Sequence, residues 1–200
     1  MDAAVDRDLR DPSWPDYGWI EDVAGVPDGI LLTRASADGE LFASPGGSAW
    51  ESMGPLPPGY TDLGSGLVTS DGRVVVSFEA REPIGHVLEA WLRSPDGTWV
   101  RSLREPSTAQ DGLVATGSLV VLAATGYDAG AETWPRLFVS TDGGATWDPG
   151  LSWSGPRGGC ARDLATDGTR LVLLGCDEGV PTLWHADVPD AGAGASPAVA

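Results

Sequence analysis

Ser140-Thr141-Asp142-Gly143-Gly144-Ala145-Thr146-Trp147 is the stretch on which the fold of this 200-residue chain turns. Two altered versions precede it, Ser94-Pro95-Asp96-Gly97-Thr98-Trp99 and Ser44-Pro45-Gly46-Gly47-Ser48-Ala49-Trp50. Their tryptophans, Trp50, Trp99 and Trp147, lie 49 and then 48 residues apart. Asp before Gly is a turn signal with a mechanism: the carboxylate accepts N–H bonds within its own turn, and glycine takes positive φ without steric cost. Three such turns at one interval mark a repeat.

Upstream of the turns the units also agree. Gly66-Leu67-Val68-Thr69-Ser70-Asp71-Gly72 and the strand after it parallel Gly112-Leu113-Val114-Ala115-Thr116-Gly117 and Asp163-Leu164-Ala165-Thr166-Asp167-Gly168. In each a short apolar run meets a Gly-bearing turn and is answered by a β-branched or Leu-rich run, the pattern of a hairpin. A third strand follows, as in Val87 to Arg93 or Arg136 to Val139, then the Trp-bearing turn and a short fourth strand. Four strands per repeat of about 48 residues is the anatomy of a β-propeller blade. The expected fold is therefore all-β, with four-stranded antiparallel blades, about four of them. They form either a small closed ring or part of a larger propeller.

The first unit reads Trp19 to Val26, Gly29 to Arg34, Glu40 to Ala43 and Ala49 to Ser52. The fourth reads Leu164 to Ala165, Leu171 to Leu174 and Thr182 to His185, and stops one strand short. An N-terminal segment, residues 1–18, carries Asp11-Pro12-Ser13-Trp14-Pro15-Asp16, which resembles Thr146-Trp147-Asp148-Pro149 and is a candidate closing strand. Blades are expected over 19–188, and the Ala/Gly-rich tail 189–200 is expected to be disordered.

Ser140, Asp142, Gly144, Thr146 and Trp147 fill every defined position of S-x-D-x-G-x-T-W. The stretch resembles the Asp-box, or bacterial neuraminidase repeat, of sialidases, sortilin-type receptors, xyloglucan-cleaving hydrolases and photosystem II assembly factors. The copy at Ser94, Asp96 and Trp99 is two residues shorter, and the one at Ser44 and Trp50 has Gly46 where the Asp belongs. The resemblance implies a peripheral, fold-forming turn. Asp142 is expected to tie the turn together, with Thr146 and Trp147 starting a strand whose indole covers the blade.

A sialidase-like glycosidase needs clustered arginines, a tyrosine nucleophile with a glutamate partner, and an acid/base aspartate. The family's Arg-Ile-Pro-like strand motif is matched neither by Arg34-Ala35-Ser36 nor by Arg81-Glu82-Pro83-Ile84. Tyr17, Tyr60 and Tyr127 all lie in Gly/Pro/Asp-rich loops, and spacing assigns no glutamate to any of them. No catalytic residue is carried over. His86 and His185 have no ligand-spaced companions, so no metal and no cofactor is expected. Asp-Gly at Asp28, Asp38, Asp71, Asp96, Asp111, Asp142 and Asp167 is read as turns rather than calcium loops.

Composition narrows the partners. Against 29 Asp and Glu stand 12 cations, all Arg, giving −17 at pH 7, so the phosphate attraction used by nucleic-acid binders is missing. Glycine, 28, and proline, 16, make up more than a fifth of the chain, against about 12% in ordinary domains, which disfavours long helices. The aliphatic run Leu119 to Ala124 is far below the ~18 residues of a membrane span. Met1 to Arg10 is too charged to read as a secretory signal, and the chain as written reads as cytoplasmic.

Cys160 and Cys176 flank a hairpin. A three-residue turn, Asp167-Gly168-Thr169, would set Thr166 opposite Arg170 and carry Cys160 to Cys176, within reach of a disulfide. Such a bond, like the family resemblance, argues for an extracytoplasmic home. Trp153, in the loop Ser152-Trp153-Ser154-Gly155-Pro156-Arg157, is a candidate binding residue together with Arg157 and Tyr127. The functional expectation is a non-catalytic propeller scaffold that binds glycan or protein through loops at the channel mouth. The alternatives are a sialidase-like glycoside hydrolase or its remnant, and a truncated propeller fragment.

Overall fold

A computed structural model of the protein describes residues 22–26, 29–35, 39–45, 51–60, 65–68, 73–82 and 85–188. Every regular element among them is a strand, and no helix is long and apolar enough to cross a membrane. The segment 1–18 and the tail 189–200 lie outside the described residues, as does Trp50.

The strands form four antiparallel sheets in chain order. Sheet 1 contains β1 (Asp22–Val26), β2 (Gly29–Ala35), β3 (Glu40–Pro45) and β4 (Glu51–Pro55). Sheet 2 contains β5 (Ser65–Val68), β6 (Val74–Glu82), β7 (Gly85–Arg93) and β8 (Trp99–Pro106). Sheet 3 contains β9 (Thr108–Thr116), β10 (Leu119–Tyr127), β11 (Thr133–Ser140) and β12 (Trp153–Ser154). Sheet 4 has three strands, β13 (Cys160–Thr166), β14 (Arg170–Asp177) and β15 (Val180–Asp187). Each sheet is a meander in which consecutive strands pair, and the first strands converge: β1 packs on β5, β5 on β9, and β9 on β13. This is a propeller-type arrangement of four blades, the fourth having three strands among the described residues.

Period-two alternation builds the core between sheets. On β6, Val74, Val76 and Phe78 face sheet 1 with Leu41 and Leu56. Val75, between them, faces sheet 3 beside Leu88 and Leu122. On β10, Val120, Leu122 and Ala124 face sheet 2, and Val121 and Ala123 meet Leu164, Leu171 and Leu173 of sheet 4. The middle strands β6 and β10 are thus apolar on both faces because sheets 2 and 3 each have a neighbour on both sides. Gly112 permits the closest approach of two inner strands, since a Cβ there would sit 3.2 Å from the Leu164 amide nitrogen.

Three local expectations are revised. Trp147 does not start a strand: Asp148 and Pro149 divert the chain into a turn, with Gly150 N–H donating to Asp148 Oδ1 at 2.7 Å, and the outer strand is only Trp153–Ser154. Trp153 is accordingly a strand residue and not a loop residue. The β13–β14 hairpin pairs Thr166 with Leu171, one residue later than a three-residue turn would give. Arg162 is a bulge, and its extra residue shifts the register back so that Cys160 faces Cys176. Those two form the disulfide, with Cα atoms 5.0 Å apart.

Candidate functional site

The inner strands β9 and β13 carry the same irregularity at the same end. In β9, Ala123 pairs with Gly112 and Ala124 with Gln110, leaving Asp111 as the bulge; in β13 the bulge is Arg162. A bulge breaks the alternation and re-aims one side chain, which is why it recurs at functional rims. This end holds the β6–β7, β10–β11 and β14–β15 hairpins, and we call it the mouth.

Asp111 Oδ2 accepts a hydrogen bond from Thr125 Oγ1 at 2.7 Å. That hydroxyl oxygen also accepts from the Ala161 amide at 3.0 Å, joining sheets 3 and 4. Burial pushes the Asp111 carboxyl up to about 6; the Thr125 bond and the Arg162 charge oppose the rise, and the Glu79 charge adds to it. The Arg162 guanidinium of sheet 4 and the Glu79 carboxylate of sheet 2 therefore both act on the Asp111 carboxyl of sheet 3 at the mouth. Glu79 shares a hydrogen bond with His86 Nδ1. The His86 amide donates to the Tyr127 hydroxyl at 2.6 Å, and the two rings meet edge to face at 5.7 Å.

Arg157 lies beside this group but is occupied. It pairs with Asp128 Oδ2 at 3.0 Å and with Glu132, and stacks 5.2 Å over the Trp134 ring. Tyr127 and Arg157 thus share the β10–β11 hairpin region. Trp153 is elsewhere, on the outer strand, half-buried and 5.8 Å from Trp184.

The described tyrosine that meets a glutamate is Tyr60, whose hydroxyl donates to Glu89 Oε2 at 2.6 Å. Glu89 is 4% exposed, in the middle of β7. It also accepts from Trp91 Nε1 at 3.0 Å and from Arg101 at 2.7 Å, with Arg104 at 3.4 Å. Burial would raise its carboxyl, but the Tyr60, Trp91 and Arg101 bonds outweigh that and hold it low. Burial and the Glu89 bond drive the Tyr60 hydroxyl up to about 12. This network fastens the segment after β4 to sheet 2.

In the Ser140–Trp147 turn, Asp142 Oδ1 accepts from Ser140 Oγ and from the Thr146 amide, each at 2.8 Å, and Oδ2 accepts from Thr146 Oγ1 at 2.6 Å. Trp147 Nε1 donates to Ser102 Oγ of β8 at 3.0 Å. In the shorter turn, Asp96 Oδ1 accepts from the Thr98 amide at 3.0 Å, and Trp99 Nε1 donates to the Pro55 carbonyl of β4 at 2.8 Å. Each indole is therefore tied to the outer strand of the preceding sheet. The described part of the Ser44 copy is limited to the β3 backbone.

The mouth residues Asp111, Glu79 and Arg162 were not singled out by sequence. By sequence Asp111-Gly112 reads as one of the Asp-Gly turns, whereas it lies inside β9. Glycine within a strand run, as at Gly112, is itself a signal of a bulge or close approach. Among the described residues, no three His, Cys, Asp or Glu side chains are grouped as a metal would need.

No family model and no curated protein matches the chain. Among solved structures it resembles a protein of unknown function from Dyadobacter fermentans at 17% identity and TM-score 0.49, over 88% of this chain and 62% of that one. Sucrose-6-phosphate hydrolase from Lactobacillus gasseri shows 14% identity and TM-score 0.47, over 95% and 51%. An α-L-arabinanase from Cellvibrio cellulosa complexed with arabinohexaose shows 14% and 0.42, over 100% and 82%. The chain spans roughly half to three-fifths of the length of the first two. The propeller-type assignment rests on the sheets themselves.

Proposed function

We propose that the protein is a non-catalytic recognition propeller that binds a neutral glycan across the mouth of sheets 2 to 4, with its Ser140–Trp147 turn serving as an Asp-box of purely structural role. The observation that carries this reading is the pair of bulges placing Asp111 and Arg162 within electrostatic reach of each other, with the Glu79 charge also acting on Asp111. Sugar hydroxyls both donate and accept, so a rim offering carboxyl, guanidinium and hydroxyl groups beside the His86 and Tyr127 rings suits them. A net charge of −17 disfavours anionic sugars. The sialidase-type alternative is opposed by Tyr60: a nucleophile needs a lowered pKa, and this hydroxyl is pushed to about 12.

A second reading, glycoside hydrolysis, is favoured by one observation. Burial, with a smaller push from the Glu79 charge, raises the Asp111 carboxyl to about 6, the condition for an acid/base group. Calorimetric titration with neutral oligosaccharides, paired with fluorogenic glycosides, separates the two. Binding weakened at least about tenfold by Arg162→Ala, without turnover, supports recognition, since one lost charge-assisted bond is worth about that much. Turnover with a pH optimum abolished in Asp111→Asn would replace it with the hydrolase. The disulfide fits an oxidising compartment, and we place the protein outside the cytoplasm.

A further inference from the structure

Trp91, Trp99 and Trp147 each donate their indole N–H to the chain itself, to Glu89, to the Pro55 carbonyl and to Ser102. Trp153 and Trp184 do not. Neither N–H has an acceptor among the described residues, and the buried polar side-chain atom without a partner is Arg93 Nε, so both N–H groups reach solvent. Trp134 shares the open N–H, but the Arg157 guanidinium lies 5.2 Å over its ring. Trp153 and Trp184 meet across the outer end of the interface of sheets 3 and 4, with centroids 5.8 Å apart and planes tilted by 55°. Glycines seat them. A Cβ on Gly175 would lie 2.7 Å from Trp184 Cζ3, and one on Gly155 would lie 2.5 Å from Trp153 Cη2. Those atoms belong to the benzo ends, which are pressed onto backbone while the N–H ends face outward. Both rings also pack on the buried cluster of Leu164, Leu171 and Leu173, so their orientation is set before any ligand arrives.

Sheet 2 shows what such an indole takes. Trp91 holds in β7 the place that Trp184 holds in β15: the third strand, facing the preceding sheet, opposite a buried residue of the second strand, Val76 in one case and Leu173 in the other. The chain itself furnishes the surroundings of Trp91. Glu89 Oε2 accepts from its N–H at 3.0 Å, and the hydroxylated ring of Tyr60 meets it edge to face with centroids 6.2 Å apart. Where Glu89 precedes Trp91 by two residues, Thr182 precedes Trp184, and its hydroxyl donates to the Val180 carbonyl at 2.9 Å. At Trp184 an acceptor oxygen and a hydroxylated ring are therefore left for another molecule to bring.

We propose that Trp153 and Trp184 form a second sugar site, on the flank of sheets 3 and 4, which takes one neutral pyranose unit of a glycan. The C–H face of the sugar lies on the two rings, and its hydroxyl oxygens accept from the two N–H groups. A cationic ligand is disfavoured, because the open edges of the indoles are the positive ends of their quadrupoles. The site rests on the reading of the mouth for its ligand class alone and uses none of the mouth residues.

The indole N–H resonances of the full chain, labelled with nitrogen-15, test this during titration with cellohexaose, xylohexaose and mannohexaose. Each sugar is taken to about 10 mM, where a site of millimolar Kd is mostly filled. The Trp153 and Trp184 signals, assigned from Trp153→Phe and Trp184→Phe chains, should move with at least one sugar while those of Trp91, Trp99 and Trp147 stay in place. No movement with any of the three overturns the inference, and so does movement with choline chloride alone. In Arg162→Ala, which disables the mouth, the movement should persist with an affinity within about twofold, as for independent sites. Its loss there would show that the two indoles report on the mouth and form no site of their own. If the mouth binds nothing, Arg162→Ala has nothing to change and the indole signals decide alone. Trp153→Phe and Trp184→Phe keep a ring without the N–H, and each should weaken binding about fivefold, the worth of one neutral hydrogen bond. Unchanged affinity in both overturns the proposal as well.

Discussion

Asp142 and Asp111 each precede a glycine, and their surroundings drive them in opposite directions. At Asp142, burial would raise the carboxyl, but the Thr146 hydroxyl and amide and the Ser140 hydroxyl outweigh it. Its ionised form is favoured by folding, so its contribution is present above pH ~4 and fades as pH falls through its depressed pKa. Asp111 has the reverse sign. Its folded pKa of about 6 lies above the unfolded value of ~3.9, so its contribution is complete below pH 4 and is lost as pH rises through 6. Asp111→Asn should therefore be more stable than the native chain by on the order of 1 kcal/mol at pH 8, after allowance for solvent screening, with little gain at pH 4. Denaturant titrations at the two pH values check this; a pH-independent difference would exclude the ionised carboxylate as its cause.

At the scale of the element, turns and bulges decide where strands sit. Gly143 and Gly144 have φ of 72° and 86°, so the turn can fold back on Asp142. A Cβ on Gly144 would also lie 2.8 Å from Val75 Cγ2, in the interface of sheets 2 and 3. Gly144→Ala should cost more than about 2 kcal/mol, whereas Gly179→Ala, with φ of 80° and nothing within 4 Å, should cost only about 1. Urea midpoints of the two variants test whether packing adds to backbone strain. The Arg162 bulge has an equally concrete result. It sets the cysteines opposite each other across a sequence separation of 16, and replacing both with serine should lower stability by roughly 3 kcal/mol. Thermal melts of the native and double-serine chains give that figure directly.

For the molecule as a whole, three apolar clusters join sheet 1 to 2, 2 to 3 and 3 to 4. Among the described residues each buried cluster spans two sheets, so unfolding one sheet uncovers the next. Far-ultraviolet dichroism and tryptophan fluorescence should therefore report one coincident transition, as expected of a two-state domain. Two separated transitions, with sheet 1 melting first, would show that its packing on sheet 2 is too weak to couple them.

What the sequence determined is the repeat: turns at a fixed interval, alternating strands between them, and the order of the sheets. These follow from local chemistry, namely positive φ at glycine, carboxylate bonds within a turn, and side chains that alternate with the pleat. The pairing of Cys160 with Cys176 was legible too, though by a register one residue off, which an unseen bulge made good. Only the tertiary structure decided the mouth. Asp111, Glu79 and Arg162 lie on three different sheets, and the effect of the other two charges on Asp111 depends on where two bulges point Asp111 and Arg162. Likewise, Trp99 and Trp147 announce themselves by spacing, but that each indole fastens its own sheet to the one before is a property of packing. Sequence periodicity records what a residue does for its own strand; charge coupling and burial arise between strands far apart in the chain, and only folding brings those together.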